Sequence, residues 1–589
     1  MNQMTVGQLF DTARQQHQAG RLAEAQSLYQ QILTQEPDHA DALHLLGYAQ
    51  FQAGHAQQGL ELIRRAIALD GGRAEYHCNL GVVLAAMNQH AEAIAACKQA
   101  LALRPDFAEA AYNLAGSLVA VGDVEQGITM YRQALALRPD WPEAYTNLGN
   151  ALQAADRLEE AVAALGQAVA LRPNFADAVY NLGNALGQLE RWEEAVAALR
   201  RAIAIKPVYP EAYNNLGNAL RKQRQFEQAI AAYRQALQQR PDYGDAYNNL
   251  ANALVEMGRI DEAIAAHTEA LKLRPDDGIV HFNLAAMLLR LGRLEEAWPH
   301  YEWRWRVEEF HQPMRQLEQP MWDGSDLKGK RILLHTEQGF GDAIQFARYV
   351  PVVVRKGGKV IIECAGQMAR LYASSPAIEQ VIVAGQPLPE FEVHCPLLSV
   401  PYVLGTTLQT LPRQVPYLWF DVALAEQWRK RIGDTEGKLK AGLVWTGRPK
   451  PEPDRSIPLT RLAPLAQVRG VRFYSLQIGP GAEQARQPPA GMDLVDWADD
   501  LNDFADTAAL MANLDLILTI DSATAHLAGA LAKPVWVLLR YAADWRWMLN
   551  RTDSPWYPTM RLFRQPRPGD WETPVQALAD QLRVKAQRS

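Results

Sequence analysis

Residues recur through the first half of this 589-residue chain at an interval of 34. Asn79, Asn113, Asn147, Asn181, Asn215, Asn249 and Asn283 are each followed by Leu and then by Gly or Ala. Pro105, Pro139, Pro173, Pro207, Pro241 and Pro275 keep the same interval, as do the small residues Ala93, Gly127, Ala161, Ala195, Ala229, Ala263 and Ala297. A unit this short cannot bury its own apolar face, so like units must stack on one another. Each unit reads as two antiparallel helices. Small residues at repeat positions 8 and 20 let the helices touch, and aromatic residues at position 24 (Tyr29, Tyr131, Tyr233) fill gaps between neighbours. Looser copies at 6–39 and 40–73 keep Pro37 and Gly54. Eight full repeats span 6–277, and a ninth begins at 278 and loses the pattern near Trp303.

A 34-residue period with small residues at helix contacts and a closing Pro is the tetratricopeptide pattern. It predicts an all-α superhelix over 1–305 with a long concave groove. The recurrent Asn at repeat position 6 marks that groove as a site. A carboxamide offers a donor and an acceptor, which matches a peptide backbone. The seven asparagines named above are therefore the expected acceptor-protein ladder. A second set, Asn150, Asn184, Asn218 and Asn252, follows three residues later, nearly one helical turn on. The alternative is that this Asn only caps or packs the first helix. Asn is a mediocre interior helix residue, which favours binding. The first two repeats carry Asp11 and Leu45 there, so the ladder starts at the third.

The pattern changes after residue 297: thirteen of the fifteen tryptophans lie from Trp298 onward. An irregular connector over 306–328 leads into short apolar runs separated by helical stretches. Strands are expected at 331–335, 359–364, 379–384 and 391–395, then at 440–445, 471–477, 493–496, 514–520 and 534–539. Continuous apolar strands alternating with helices imply parallel sheets covered on both faces. The break near 410–438 divides them into two lobes, 329–415 and 416–589, with a cleft between.

Two segments stand at strand ends, where open α/β sheets place ligands. In the first, a strand runs into Gly339-Phe340-Gly341-Asp342 and a helix. The glycines suit a sharp turn and close approach to a ligand, and Asp342 sits at the helix start. In the second, a strand ends at Asp521 and a helix starts at Ser522–Ala523, whose amides can hold a phosphate. His526 lies one turn in. Each feature alone has an ordinary reading, Asp342 as a cap and His526 as a hydrogen-bonded core residue. The acidic run Asp496, Asp499, Asp500, Asp503 and Asp506 reads as a solvated loop and a cap for a helix at 507–513, so no metal site is expected.

Two look-alikes fail. Gly324, Gly329 and Lys330 match most of a phosphate-binding loop, but Arg331 replaces the required Ser/Thr and the motif precedes its strand. Gly339 and Gly341 with Glu363 suggest dinucleotide binding, but Ile344 stands where the third glycine belongs.

Taken together, Gly-x-Gly-Asp and Asp-x-x-x-x-His-Leu-Ala-x-Ala resemble the heptosyltransferase-like glycosyltransferases, over about 329–584. The resemblance implies a GT-B fold of two Rossmann-like lobes. It also implies that Asp342 is the base for the acceptor, and that Asp521, Ser522, Ala523 and His526 hold the donor's sugar and diphosphate. Gly339 and Gly341 join the donor site by the same match. A basic residue from mid-chain meets the phosphates in this family, which points to Arg455 and, second, Arg448; Arg has the fork geometry for phosphate oxygens. This sequence departs from the family at Ser522-Ala523, in place of Thr-Gly, and in its short first lobe. The order of repeats then transferase is similar to protein O-linked N-acetylglucosamine transferases and to bacterial flagellin glycosyltransferases.

The expected function is inverting transfer of a sugar from a nucleotide-sugar donor to Ser/Thr of a protein recruited by the repeats, flagellin being one acceptor the resemblance suggests. No cofactor is expected beyond the donor. The alternatives are a non-catalytic scaffold with a decayed transferase domain, and transfer to a glycan or lipid carrier. A net charge of −7 argues against a nucleic-acid partner. Four scattered cysteines, Cys78, Cys97, Cys364 and Cys395, form no disulfide framework or zinc motif. With no signal segment and no long apolar run, a cytoplasmic location is expected.

Overall fold

The computed structural model describes residues 4–307, 315–447 and 455–588. The chain divides into two compact units between Met257 and Gly258.

The first unit is helical, from α1 (Val6–Gln18), α2 (Leu22–Gln35) and α3 (Ala40–Gln52) through to α15 (Gly244–Glu256). Helices of 13 and 14 residues alternate. Within each pair the chain turns through a left-handed residue, namely Gly20, Gly54, Asn88, Gly122, Asp156, Glu190 or Arg224, with φ from +57° to +90°. The position-8 glycines are there for contact. A Cβ at Gly149 would stand 2.5 Å from Leu165 Cγ, and one at Gly217 2.5 Å from Tyr233 Cε1. Burial is spread over separate clusters, one around Tyr29 and Leu46, another around Tyr131, Leu148 and Leu165. That is how a stacked array distributes its core. Exposed pairs such as Arg64–Glu92 (2.8 Å) and Arg157–Glu125 (3.1 Å) join successive repeats, and each contributes little.

The second unit opens with α16 (Ile260–Leu273), α17 (Gly278–Arg290) and α18 (Leu294–Tyr301). The last is only 8 residues long and passes into a 3₁₀ turn over Glu302–Arg306, so the ninth repeat is truncated. These helices share the α/β core. Trp298 and Tyr301 are buried in it, Trp298 Nε1 donates to Thr406 O at 2.8 Å, and Leu549 N donates to Arg290 O at 3.1 Å. The compact unit therefore begins ahead of the composition change near residue 297.

Two all-parallel sheets follow. The first holds β1 (Arg331–His335), β2 (Lys359–Cys364), β3 (Gln380–Val383) and β4 (Val393–Pro396) in the order β3-β2-β1-β4. With it go α19 (Phe340–Phe346), α20 (Val350–Arg355), α21 (Gly366–Ala373) and α22 (Val400–Val403). The second holds β5 (Leu439–Leu443), β6 (Val471–Ser475), β7 (Leu494–Val495), β8 (Leu516–Ile520), β9 (Val535–Leu539) and β10 (Met560–Arg564). Its order is β10-β9-β8-β5-β6-β7. With it go α23 (Val422–Ile432), α24 (Ala463–Ala466), α25 (Phe504–Ala512), α26 (Ala523–Ala530) and α27 (Glu572–Ala586). Both sheets have a strand, β1 and β5, from which the order runs both ways, and such points open crevices at the carboxyl ends of strands. The nine expected strands all form, most a residue or two shorter. The tenth, β10, was not expected, because Arg561 and Arg564 break its apolar run. It is an edge strand whose Arg561 is exposed.

The helix expected at 507–513 starts earlier, at Phe504. Asp503 caps it, accepting from the backbone N–H of Ala505 (2.8 Å) and Asp506 (3.0 Å). Asp503 and Asp506 also receive Arg370 Nη1 at 3.1 and 3.4 Å, and Asp500 receives Arg431 at 2.6 Å. Asp500, Asp503 and Asp506 are thus taken up by capping and ion pairs.

Candidate functional site

A cavity of about 580 Å³ lies in the second unit, at the carboxyl ends of both sheets. Gly339, Gly341 and Asp342 reach it from the turn after β1, and Val444, Thr446 and Gly447 from that after β5. Leu476 and Gln477 follow β6, Asp521, Ser522, Ala523, Thr524 and His526 follow β8, and Asp544 and Arg546 follow β9. Arg455 lies on the same wall. All eight residues of the expected catalytic and donor sites therefore line one cavity, although the motifs that carry them lie some 180 residues apart. Arg448 lies outside the described residues.

The turn after β1 works differently from the expectation. Neither glycine is left-handed; that residue is Gln338, with φ +61°. Gly341 serves close approach instead, since a Cβ there would stand 3.1 Å from His526 Cδ2 and 3.7 Å from Ala523 Cα. α19 and α26 pack through this contact, which brings the two motifs together. Gly447 plays a similar part: a Cβ there would lie 2.8 Å from Arg455 Nε.

Asp342 Oδ2 accepts from Gly339 N–H at 3.0 Å. Its Oδ1 pairs with Arg546 Nη2. Burial pushes its carboxyl above the ordinary value, against the pull of Arg546. Arg546 is shared: its Nη1 donates to Asp544 Oδ1 at 2.8 Å and its backbone N–H to the same oxygen at 2.9 Å. Its guanidinium lies 4.2 Å from the Trp545 ring centroid. Burial opposes ionisation of Asp544, but Arg546 outweighs it and holds that carboxyl below the ordinary range.

No side chain caps α26. The hydroxyl of Ser522 is 3.0 Å from Thr519 Oγ1, which keeps it off the first turn. An uncapped N-terminus lined by Ser522, Ala523 and Thr524 faces the cavity and offers amides to an anion.

His526 is buried and stacks on Trp547, with ring centroids 5.1 Å apart. Burial first, and the nearby charge of Arg546 second, lower it to about 3. It is therefore a neutral imidazole near pH 7. A buried chain of hydroxyls ends on its Nδ1. Arg348 Nη2 donates to Tyr417 Oη (3.2 Å) and Tyr417 Oη to Tyr557 Oη (3.3 Å). Tyr557 Oη lies 2.9 Å from His526 Nδ1 and has its own proton to give. With Tyr557 donating to Nδ1, the ring proton sits on Nε2, on the edge that faces Gly341. Arg348 is fixed by the carbonyls of Gln345 (2.8 Å) and Trp556 (2.6 Å). Gly529 makes room for the Tyr557 ring, since a Cβ there would meet Tyr557 Cδ1 at 2.3 Å.

The sequence reading missed Asp544, Arg546, Arg348, Tyr417 and Tyr557. Asp544 and Arg546 had a signal, because they follow a strand that was expected at 534–539. The others act from inside the fold and had none.

The recurrent asparagines lie on the first helix of their repeats. Six are in the first unit, and Asn283 is on α17 in the second. The amides of Asn79, Asn113, Asn147, Asn215 and Asn249 reach back to position 5 of the preceding repeat. Asn79 Nδ2 lies 2.9 Å from His44 Nε2, and Asn113 donates to Cys78 Sγ at 3.5 Å. Asn147 donates to Tyr112 Oη at 2.7 Å, Asn215 to Tyr180 Oη at 3.0 Å and Asn249 to Asn214 Oδ1 at 3.0 Å. Asn215 also donates to Asn184 Oδ1 at 2.8 Å, so the two Asn sets meet. A hollow of about 570 Å³ is lined by Gln153, Asn184, Gln188, Asn215 and Asn218 together with Trp192.

Matches to tetratricopeptide-repeat families cover 16–79, 84–152, 154–190, 188–224, 217–258 and 248–302. Protein FlbA of Caulobacter vibrioides is 28% identical over 315 residues, which are 49% of this chain and 52% of that protein. The chain thus spans about half the length of that relative. Among solved structures, the APC/C hetero-tetramer Cut9-Hcn1 is 20% identical over 45% of this chain and 52% of its own, with a TM-score of 0.36. MamA is 28% identical over 28% of this chain and 97% of its own, with a TM-score of 0.27. Among the described residues no helix is long and apolar enough to cross a membrane. The chain carries a tetratricopeptide-repeat region over most of its first half and an α/β region with two parallel sheets over its second.

Proposed function

We propose that this protein is an inverting glycosyltransferase of the GT-B type, moving a sugar from a nucleotide-sugar donor to Ser or Thr of a protein held by its repeats. One observation carries the reading. Two motifs distant in sequence, each placed by its resemblance to heptosyltransferase-like enzymes, meet through Gly341 and His526 and line one cavity at the carboxyl ends of two parallel sheets. The wall formed by the uncapped start of α26, Arg455 and His526 Nε2–H suits a diphosphate. Asp342 faces it.

In this reading the acceptor hydroxyl gives its proton to Asp342 as its oxygen bonds to the anomeric carbon. The bond from that carbon to the donor phosphate breaks, and the electron pair leaves with the phosphate. A positioned base typically contributes 10²–10⁴-fold. The repeats select the protein, and flagellin enters as a candidate acceptor only through the resemblance.

The test is a panel of nucleotide sugars scored by thermal stabilisation, followed by a transfer assay with the stabilising donor. A ligand at 100 times its Kd raises stability by about 2.7 kcal/mol, which a melting curve resolves. If no nucleotide sugar shifts the melt, the scaffold reading takes its place. Stabilisation with transfer to a glycan or lipid carrier, and none to protein, would move the acceptor to the other alternative.

His526→Ala is expected to weaken donor binding by roughly 10- to 150-fold, since a hydrogen bond to a charged phosphate contributes about 1.5–3 kcal/mol. Acceptor affinity should hold. An unchanged donor Kd by calorimetry would make His526 a packing residue.

A further inference from the structure

Arg546 is held by carboxylates from both walls of the cavity. Asp342, on the first sheet's side, takes Nη2, and Asp544, on its own side, takes Nη1. With Gly339 N–H on Oδ2, both oxygens of Asp342 carry a donor. The Arg546 charge against Oδ1 makes Asp342 a weaker proton acceptor than burial alone would, yet Asp342 faces the cavity in the position of a base. Asp544 and Trp545 give Arg546 a second anchorage that does not depend on Asp342. The cavity's charge points the same way: Asp342, Asp503, Asp521 and Asp544 line it, against Arg455 and Arg546. A phosphate entering there needs a cation, and a guanidinium has five donors arranged for two oxygens at once.

We propose that the donor's phosphate and Asp342 compete for Arg546, so that nucleotide binding draws the guanidinium off Asp342 and leaves that carboxylate open to the acceptor hydroxyl. Arg546 thereby couples occupancy of the donor site to exposure of the base, and the donor binds before transfer can begin. The proposal rests on the nucleotide-sugar reading above.

Competition makes a prediction of definite sign, checked without any transfer assay. UDP, GDP, ADP and CDP are titrated by calorimetry into the full chain, and the tightest is carried forward. Asp342→Asn is expected to tighten that nucleotide at least about 5-fold, the lower end of typical coupling between sites. In an Arg546→Gln background binding is weaker, and adding Asp342→Asn changes it less than about 2-fold, the additivity expected of uncoupled positions. If Arg546→Gln does not fold, Arg546→Lys closes the cycle, because a single ammonium cannot span both carboxylates. No tightening by Asp342→Asn would overturn the proposal. So would equal tightening in both backgrounds, which is simple relief of charge repulsion. If none of the four nucleotides binds the unmodified chain, the donor reading falls and takes this proposal with it; binding without the coupled pattern removes the proposal alone.

Discussion

Asp342→Asn should lower sugar transfer at least ~10²-fold while the nucleotide binds no more weakly than before, because the proton acceptor is removed and the donor wall is untouched. The structure sharpens this expectation. Asp342 lies in the cavity with its carboxyl pushed up by burial, and a base is most effective when its pKa approaches the working pH. Arg546 keeps its second partner, Asp544, in the variant, so the cation is not stranded. In the unmodified protein transfer should rise with pH as Asp342 loses its proton, and the variant should lack that limb. Single-turnover transfer at saturating donor, with calorimetry in parallel, measures both halves. Near-normal turnover would remove Asp342 from the mechanism. Equal loss of binding and transfer would point to a disturbed fold.

The second large effect concerns the acceptor. Replacing Asn181, Asn215 and Asn249 together by Ala should weaken glycosylation of a protein acceptor by roughly 10–1000-fold, at about 0.5–1.5 kcal/mol for each lost contact. Donor binding and slow donor hydrolysis should not change. The repeats add a control that propensity alone would not suggest. Asn215 and Asn249 also bond the preceding repeat, so the triple variant should melt earlier even though Ala favours helix. Tyr180→Phe removes one of those inter-repeat bonds and leaves Asn215 in place. If the asparagines grip the acceptor, Tyr180→Phe lowers the melt slightly and keeps acceptor affinity. Loss of acceptor affinity in both variants would trace it to repeat geometry. Unchanged glycosylation in the triple variant would reduce the asparagines to packing, and acceptor choice would rest with the cavity.

Much of the architecture was legible because it is local. A 34-residue period can be counted. The left-handed turn recurs at one repeat position, held by Gly where Gly is available and otherwise by Asn88, Asp156, Glu190 or Arg224. Parallel strands buried on both faces announce themselves as apolar runs, as β8 does with every residue buried. β10 was invisible because an edge strand can carry Arg561 and Arg564 and still pair through its backbone. The truncated ninth repeat was readable as a fading pattern, but not its burial against the α/β region through Trp298 and Tyr301.

The site divides the same way. Asp342, Arg455 and the 521–526 segment could be singled out because strand ends and helix starts have a chain signature. What each residue does there depends on its neighbours in space. Gly341 looked like a turn residue and proves to be the contact point of α19 on His526. His526 was read as a donor-site residue, and its charge was not legible: it is neutral, because burial removes water from the ring and Arg546 adds a like charge. Asp342 is met by Arg546 from 204 residues away. The sequence by itself determined the repeat array, the two parallel sheets and the residues to watch, since periodicity, strand patterning and helix starts are written in adjacent positions. Only the tertiary structure decided the protonation of His526, the partner of Asp342 and the chain from Arg348 to His526, because desolvation and charge pairing are set by distance in space, which separation along the chain does not encode.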